Sequence, residues 1–203
     1  MSQRIGIYGG TFSPPHTGHF RALDAFIASE KPDLTYVIPT CLPPHKQLHS
    51  DATPAQRMEM CRLAFSGLSA IVNDIEIRRG GKSYTVQTLE ELKQDNTLIM
   101  LCGTDMFLTL DKWYQPERIF ALTEIVYVQR ETGEGSEVIA HQLQKKAEFL
   151  RQIFGATVRP LSCDAVEVSS TALRTAILQG KDTSHYLAPS VREYIDQWNL
   201  YRK

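Results

Sequence analysis

The sequence has few cysteines, no long apolar run and no excess of either charge. Its four cysteines are scattered without a Cys-x-x-Cys pair, which argues against a zinc knuckle and a disulfide framework. No apolar run approaches the roughly 20 residues of a membrane-spanning helix, and no secretion signal precedes the first strand. The net charge is −1, so no global field attracts nucleic acid or an anionic membrane. We expect a cytoplasmic protein that binds neither, with any anion site confined to a local feature.

The chain alternates short β-rich runs with helical segments, and its 203 residues fit a single domain spanning 1–203. The predicted strands are residues 4–8, 34–38, 71–78, 98–102, 125–128 and 157–161. The predicted helices are residues 18–29, 54–65, 86–93, 138–154, 169–178 and 189–198. Residues 131–136 are predicted to form an exposed connection. This alternation predicts a doubly wound, Rossmann-like α/β fold with a parallel sheet and a small helical C-terminal part.

The strongest chemical signal is the segment Gly-Gly-Thr-Phe-Ser-Pro-Pro-His-Thr-Gly-His, residues 9–19, between the first strand and the first helix. Glycines let the backbone approach an anion closely, and the free N–H groups at a helix start carry positive partial charge. The segment lacks the Gly-Lys-Ser/Thr ending of a Walker loop and the Gly-x-Gly-x-x-Gly spacing of a dinucleotide fingerprint. It predicts a phosphate site in which two histidines replace the lysine.

His16 and His19 are three residues apart at a helix start, so both can face the carboxyl ends of the strands. There they can hold phosphate oxygens. One alternative is that a histidine caps the helix or packs against it. Another is a zinc site that also uses His45 and His49, which is disfavoured because the His-x-x-His pair lacks the acid of hydrolytic zinc helices.

The segment resembles the signature of the nucleotidyltransferase superfamily with the His-x-Gly-His motif, and within it that of the bacterial nicotinate-nucleotide adenylyltransferases. Later motifs match that family in order: Pro-Pro-His-Lys at 43–46, Ser-Tyr-Thr-Val at 83–86, Gly-Thr-Asp at 103–105, Trp-Tyr at 113–114, and Ser-Ser-Thr with an arginine at 169–174. The match spans nearly the whole chain. It departs at Ser13, where the family often has Asp, so no role is predicted for that side chain.

The resemblance implies an enzyme of NAD biosynthesis that joins nicotinate mononucleotide to the AMP part of ATP. The mononucleotide phosphate would attack the ATP α-phosphate in line, releasing pyrophosphate and deamido-NAD, with Mg²⁺ arriving on ATP. The residues implied as catalytic are His16 and His19. Those implied to bind ATP and its phosphates are Gly9, Gly10, Thr11, Phe12, Lys46, Ser170, Thr171 and Arg174. Those implied to bind nicotinate mononucleotide are Tyr84, Thr85 and Trp113, and the ribose-binding residues are Gly103 and Asp105.

Other interpretations remain open at this point. A sibling enzyme would use nicotinamide mononucleotide or another phosphorylated acceptor, and a nucleotide sensor would keep the fold without turnover. A NAD-dependent dehydrogenase is disfavoured by the glycine spacing of the first loop. Asp105 would alternatively cap the helix that follows it, and residues 169–174 would alternatively be a serine cap with a solvated arginine. The sequence does not indicate the oligomeric state.

Overall fold

A computed structural model of the chain describes residues 2–44, 52–130, 136–163, 166 and 168–202. The strands are β1 (Arg4–Gly10), β2 (Leu34–Pro39), β3 (Ile71–Val72), β4 (Thr97–Cys102), β5 (Thr123–Arg130) and β6 (Val158–Cys163). The helices are α1 (Thr17–Glu30), α2 (Pro54–Ala64), α3 (Ile75–Arg79), α4 (Thr85–Lys93), α5 (Thr104–Thr109), α6 (Pro116–Leu122), α7 (Ser136–Phe154), α8 (Ser170–Leu178) and α9 (Pro189–Gln197), with a 3-10 turn at Leu110–Lys112.

The six strands form one parallel sheet in the order β3-β2-β1-β4-β5-β6. The strand order reverses between β1 and β4, because the chain first winds outward through β2 and β3 and then returns to pair β4 with the other side of β1. This is the doubly wound order, so the predicted fold class is confirmed. In such sheets the crevice outside the carboxyl ends of the strands at the reversal receives ligands.

Both faces of the sheet are covered by helices. Along β4, Leu98 and Met100 pack with α4 to α7, whereas Ile99 and Leu101 pack with α1 and α2 on the opposite face. This period of two places apolar residues on both sides, which explains why the strand is a continuous apolar run in the sequence. A third apolar cluster joins α2, α8 and α9, and these last two helices are the helical C-terminal part that the sequence predicts.

The prediction of a strand at residues 71–78 is wrong beyond its first two residues. Asn73 accepts a hydrogen bond from the backbone N–H of Ile75 (2.9 Å), which turns the chain into α3. The alternating apolar residues imitate a strand, but a helix of five residues buries Ile75 and Glu76 instead. The short helices α5 and α6 were not predicted, because one or two turns carry too little periodicity.

Two further predictions, the exposed connection at residues 131–136 and the lack of a membrane-spanning helix, can be compared only with the described residues. The connection at residues 131–136 lies outside them, except that Ser136 is the first residue of α7. Over the part of the chain that the structure describes, no helix is both long and apolar enough to cross a membrane.

Candidate active site

A cavity of about 770 Å³ opens at the carboxyl ends of β1 and β4, where the strand order reverses. Every residue that the sequence assigns to the site and that the structure describes lines this cavity. Lys46 lies outside the described residues, as do His45 and His49. The fold therefore brings together residues separated by up to 165 positions, from Gly9 to Arg174, around one space.

The first loop reaches this cavity because its aromatic residue is anchored beneath it. Phe12 is buried and makes edge-to-face contacts with Tyr8, His19 and Phe65, at centroid distances of 5.3, 5.1 and 5.8 Å. Its backbone is left-handed, with φ of 48°. The side chain therefore belongs to the core, and the loop offers the cavity its backbone.

Two glycines leave room that a ligand can use. A Cβ built on Gly9 or on Gly103 would meet no protein atom within 4 Å, so packing within the described chain does not require glycine at either position. Both residues line the cavity at strand ends. Their lack of a side chain allows a ligand to approach the backbone closely at these two positions.

The two histidines cap α1 reciprocally. The backbone N–H of His19 donates to Nδ1 of His16 (3.4 Å), and the backbone N–H of His16 donates to Nδ1 of His19 (3.1 Å). Their rings lie 3.6 Å apart between centroids. Gly18 fits between them, because a Cβ there would approach the His16 ring to 3.1 Å. The capping alternative is thus correct for both residues, and it does not exclude phosphate binding.

This capping box determines the tautomer of each neutral histidine ring. Nδ1 accepts a hydrogen bond in each ring, so the neutral imidazole carries its proton on Nε2. Burial lowers the pKa of His16 to about 4, and burial together with the neighbouring His16 lowers the pKa of His19. At neutral pH both imidazoles are therefore neutral and carry their proton on Nε2, and both residues line the cavity.

The lowered pKa values predict that acid destabilises the protein through this pair. The pKa of His16 is lower in the folded chain than its ordinary 6.5, so below pH 6.5 the unfolded chain binds protons that the folded chain does not. The free energy of unfolding should fall as the pH drops from 6.5 to about 4, by on the order of 3 kcal/mol from His16. Urea unfolding at pH 7.5, 6 and 5 measures this fall.

The control for that measurement is His16→Asn, whose side-chain oxygen keeps a helix cap but cannot take up a proton. We expect the stability of this variant to depend less on pH over the same interval. Equal pH dependence in the native protein and the variant would show that His16 does not carry the effect.

Helix α8 supports the first loop from the opposite side. Ser169 is its N-cap and accepts from the backbone N–H of Ala172 (3.1 Å), as predicted for the serine cluster. The hydroxyl of Ser170 donates to the carbonyl oxygen of Pro14 (2.8 Å). Ser170 therefore holds the first loop.

Arg174 lies one turn into α8 and joins the same loop. Its guanidinium donates to the carbonyl oxygen of Ser13 (2.9 Å) and to the hydroxyl of Thr171 (3.2 Å). The side-chain oxygen of Ser13 lies 3.0 Å from that of Tyr201, near the end of the chain. Ser13, the departure from the family pattern, is thus a buried side chain that ties the loop to the C-terminal part.

The other end of the cavity is aromatic. Tyr84 is the N-cap of α4 and makes no side-chain cap. The backbone N–H of Gln87 donates to the Tyr84 carbonyl oxygen (3.1 Å), and Thr85, the first residue of the helix, lines the cavity. The rings of Tyr84 and Tyr114 lie 4.8 Å apart, and Trp113 lines the same wall. Tyr114 was not predicted as a site residue, although it stands within the Trp-Tyr motif that was recognised.

Asp105 is not a helix cap. Helix α5 begins at Thr104 with Gly103 as its N-cap, so Asp105 lies inside the first turn. Its side chain is exposed and lines the cavity, which corrects the capping alternative.

No group of three or more His, Cys, Asp or Glu within the described ranges could hold a metal ion. The acidic residues described in the cavity lining are Glu76 and Asp105. Glu76 is buried, accepts from the hydroxyl of Thr88 (2.8 Å), and burial raises the pKa of its carboxyl group. This donor set does not form an oxygen cage for Mg²⁺, so it fits an ion that arrives on a phosphate ligand.

Arg57 is a further residue that the sequence interpretation missed. It lies on α2, is fully buried, and contacts the backbone of both loops that line this side of the cavity. The available signal was its position among Met58, Met60 and Cys61, since a charged residue on a helix face that is otherwise apolar requires a partner.

The fold and the site define a nucleotide-binding α/β protein with a phosphate loop at its strand reversal. The Cytidylyltransferase-like family model matches residues 7–176. The "Probable nicotinate-nucleotide adenylyltransferase" of Marinobacter nauticus is 35% identical over 207 residues, covering 96% of this chain and 95% of its own length. The protein of that name from Citrifermentans bemidjiense is 33% identical, covering 98% of both. The chain belongs to the cytidylyltransferase-like family and, within it, to the nicotinate-nucleotide adenylyltransferases.

A solved structure agrees in fold. The Plasmodium falciparum nicotinic acid mononucleotide adenylyltransferase complexed with NaAD superposes with a TM-score of 0.75, covering 98% of this chain and 97% of its own. The two sequences are 18% identical, so this likeness supports the fold alone.

Proposed function

We propose that this protein joins nicotinate mononucleotide and ATP to give deamido-NAD and pyrophosphate, as a step of NAD biosynthesis. One observation carries the proposal: two histidine rings, each accepting a backbone N–H at Nδ1, lie at a Gly-rich loop in the same cavity as an aromatic wall. The names of the relatives that cover nearly the whole chain support the same reaction.

The reaction needs charge neutralisation more than covalent chemistry. An oxygen of the mononucleotide phosphate forms a bond to the ATP α-phosphorus, and the bond from that phosphorus to the β-phosphate bridging oxygen breaks, so pyrophosphate leaves. The substrate supplies the nucleophile, and the protein supplies positioning and hydrogen-bond donors. We assign His16 and His19 to the α-phosphoryl oxygens, where negative charge increases in the transition state.

The remaining phosphate contacts come from both sides of the first loop. Backbone groups of Gly9, Gly10, Thr11 and Phe12 would contact ATP from one side. Ser170, Thr171 and Arg174 would contact its triphosphate from the other, and Lys46 would add charge from the Pro-Pro-His-Lys loop. Mg²⁺ bound to ATP would neutralise part of the phosphate charge, held by substrate oxygens and water.

The opposite end of the cavity would recognise the pyridine nucleotide. A pyridine ring would stack on Trp113, and its carboxylate would accept hydrogen bonds at the start of α4 from Tyr84 and Thr85. Backbone donors and the positive end of a helix dipole favour a carboxylate over an amide. Gly103 and Asp105, between the two ends, would bind ribose hydroxyls.

Replacing Arg174 by glutamine should raise the KM for ATP about 10- to 100-fold, because a charged hydrogen bond to phosphate is lost. The KM for nicotinate mononucleotide should change much less. Steady-state kinetics with each substrate varied in turn measures both. Arg21→Gln, at an exposed position of α1, is the matched control and should leave both constants unchanged. An unchanged KM for ATP in the Arg174 variant would remove this residue from the ATP site.

Pyrophosphate release from Mg-ATP tests the proposed reaction with nicotinate mononucleotide, nicotinamide mononucleotide and phosphopantetheine as separate acceptors. We expect rapid release with the first. Preference for another acceptor would support the adenylyl transfer from ATP but refute the assignment of Tyr84, Thr85 and Trp113 to a pyridine nucleotide. ATP binding without release under any condition would favour the sensor interpretation.

We further propose that residues 1–203 act as one nucleotidyltransferase domain, which the near-complete coverage of the relatives supports. A cytoplasmic location is part of the same proposal. All four cysteines are free, which is consistent with a reducing compartment.

A further inference from the structure

The guanidinium of Arg57 is bonded entirely to backbone carbonyls of two loops beside the cavity. It donates to the carbonyl oxygens of Thr11 (2.8 Å), Thr40 (2.6 Å) and Cys41 (3.1 Å). Thr11 belongs to the first loop, whereas the other two residues follow β2. Arg57 therefore adds a side-chain link between two loops that the backbone hydrogen bond from the Thr40 N–H to the Gly10 carbonyl oxygen (2.9 Å) also joins.

Burying the charged guanidinium of Arg57 costs desolvation free energy that a purely structural role does not require. Arg57 is fully buried, its Nε has no hydrogen-bond partner, and it forms no ion pair with a carboxylate of the described residues. An apolar residue of similar volume is often as stable as a buried charge at such a place. A positive charge that forms no ion pair among the described residues, beside a phosphate loop, is explained if the ligand supplies the negative charge.

The contact to Thr11 also sets the direction of a donor. In a trans peptide, the carbonyl group and the next N–H point in opposite directions. The Thr11 carbonyl points toward Arg57 in the interior, so the N–H of Phe12 points away from it. That N–H belongs to the loop whose backbone lines the cavity.

The loop after β2, which Arg57 contacts through Thr40 and Cys41, is also hydrogen-bonded toward the aromatic end of the cavity. The backbone N–H of Cys41 donates to the hydroxyl of Ser83 (2.9 Å), the residue before Tyr84. The backbone N–H of Ser83 donates to the carbonyl oxygen of Leu42 (2.8 Å). The loop after β2 is thus also bonded to the segment before α4, and Arg57 links the first loop to it.

We propose that Arg57 is a positioning residue for ATP, which locks Thr11 of the phosphate loop to Thr40 and Cys41 and so orients the Phe12 N–H toward the nucleotide. The proposal rests on the proposed function for its ATP site but not for the identity of the acceptor.

Two variants test the proposal. Arg57→Lys keeps a charge but cannot reach three carbonyls in two loops, and Arg57→Met removes the charge while filling similar space. We expect the Kd and KM for Mg-ATP to rise about tenfold in the lysine variant and about 100-fold in the methionine variant. The KM for nicotinate mononucleotide should stay within threefold of the native value. Arg62→Lys, an exposed change on the same helix, should alter neither constant.

Binding is measured by calorimetry with Mg-ATP alone, and thermal unfolding establishes that each variant is folded. A residue that matters only for the fold would reduce the active fraction without changing the ATP constants. Unchanged ATP affinity in both folded variants would therefore overturn the proposal, as would equal rises in both substrates' KM, an effect confined to the methionine variant, or loss of folding in both. If the native protein bound Mg-ATP but used another acceptor, only the proposed function would fail.

Discussion

Replacing His16 by alanine should lower kcat by about 10² to 10³, the usual scale for deleting one donor to a transition-state oxygen. The reason is geometric as well as chemical. The capping box holds Nδ1 as an acceptor, so Nε2–H is already positioned as a donor before ATP binds. Steady-state and single-turnover kinetics at saturating substrates measure the loss.

The kinetics of His16→Ala are harder to interpret, because this substitution also removes a helix cap that contributes about 1 kcal/mol of stability. His16→Asn separates the two roles, since it keeps a capping oxygen but has no Nε2–H donor. We expect His16→Asn to keep its thermal stability and to lose about as much kcat as the alanine variant. Activity within tenfold of native in a stable His16→Asn protein would reduce His16 to a cap.

Replacing Trp113 by alanine should raise the KM for nicotinate mononucleotide about 10- to 100-fold, because stacking of a heterocycle on an aromatic side chain contributes on the order of 1–3 kcal/mol. The KM for ATP should change less than threefold. We propose that ATP binds at the opposite end of the cavity, with residues other than those of the aromatic wall. Kinetics with each substrate varied at saturation of the other gives both values.

Trp113→Phe keeps an aromatic face and should retain most of the affinity. Trp198→Ala is the matched control, since this tryptophan is 54% exposed at the end of α9 and is not among the residues of the cavity lining. Equal increases for both substrates in Trp113→Ala would mean that the residue supports the cavity without stacking on the pyridine.

The sequence was sufficient to predict the fold where burial is two-sided or helices are long. The strands β1, β2, β4 and β5 contain apolar runs because helices cover both faces of the sheet, whereas the edge strand β6 mixes buried and exposed residues. The alternation of strands with helices predicts parallel pairing. Residues 71–78 show the limit. Their period of two arises from a short strand followed by a short helix. The turn that separates them is a local hydrogen bond from the Ile75 N–H to the side chain of Asn73, which the apolar alternation masks in the sequence.

The sequence predicts which residues line the candidate site, but it does not predict how their side chains are hydrogen-bonded. The first loop, the start of α4 and the start of α8 carry local motifs, and the cavity contains their residues. The reciprocal cap between His16 and His19 makes the capping and phosphate-binding interpretations compatible. Only the three-dimensional structure shows that the cap uses Nδ1 of each ring, which leaves Nε2 for a ligand. Arg57 was missed because its partners are backbone carbonyls of two distant loops, which no spacing in the sequence encodes.

Competition between two acceptors tests the central claim most directly. The enzyme is given Mg-ATP with equal, limiting concentrations of nicotinate mononucleotide and nicotinamide mononucleotide, and the two dinucleotide products are quantified by mass spectrometry. Their ratio equals the ratio of kcat/KM for the two acceptors. The aromatic wall and the donors at the start of α4 predict that deamido-NAD predominates by at least about tenfold, the effect of one charged hydrogen bond. Predominance of NAD, or no dinucleotide from either acceptor, would contradict the account.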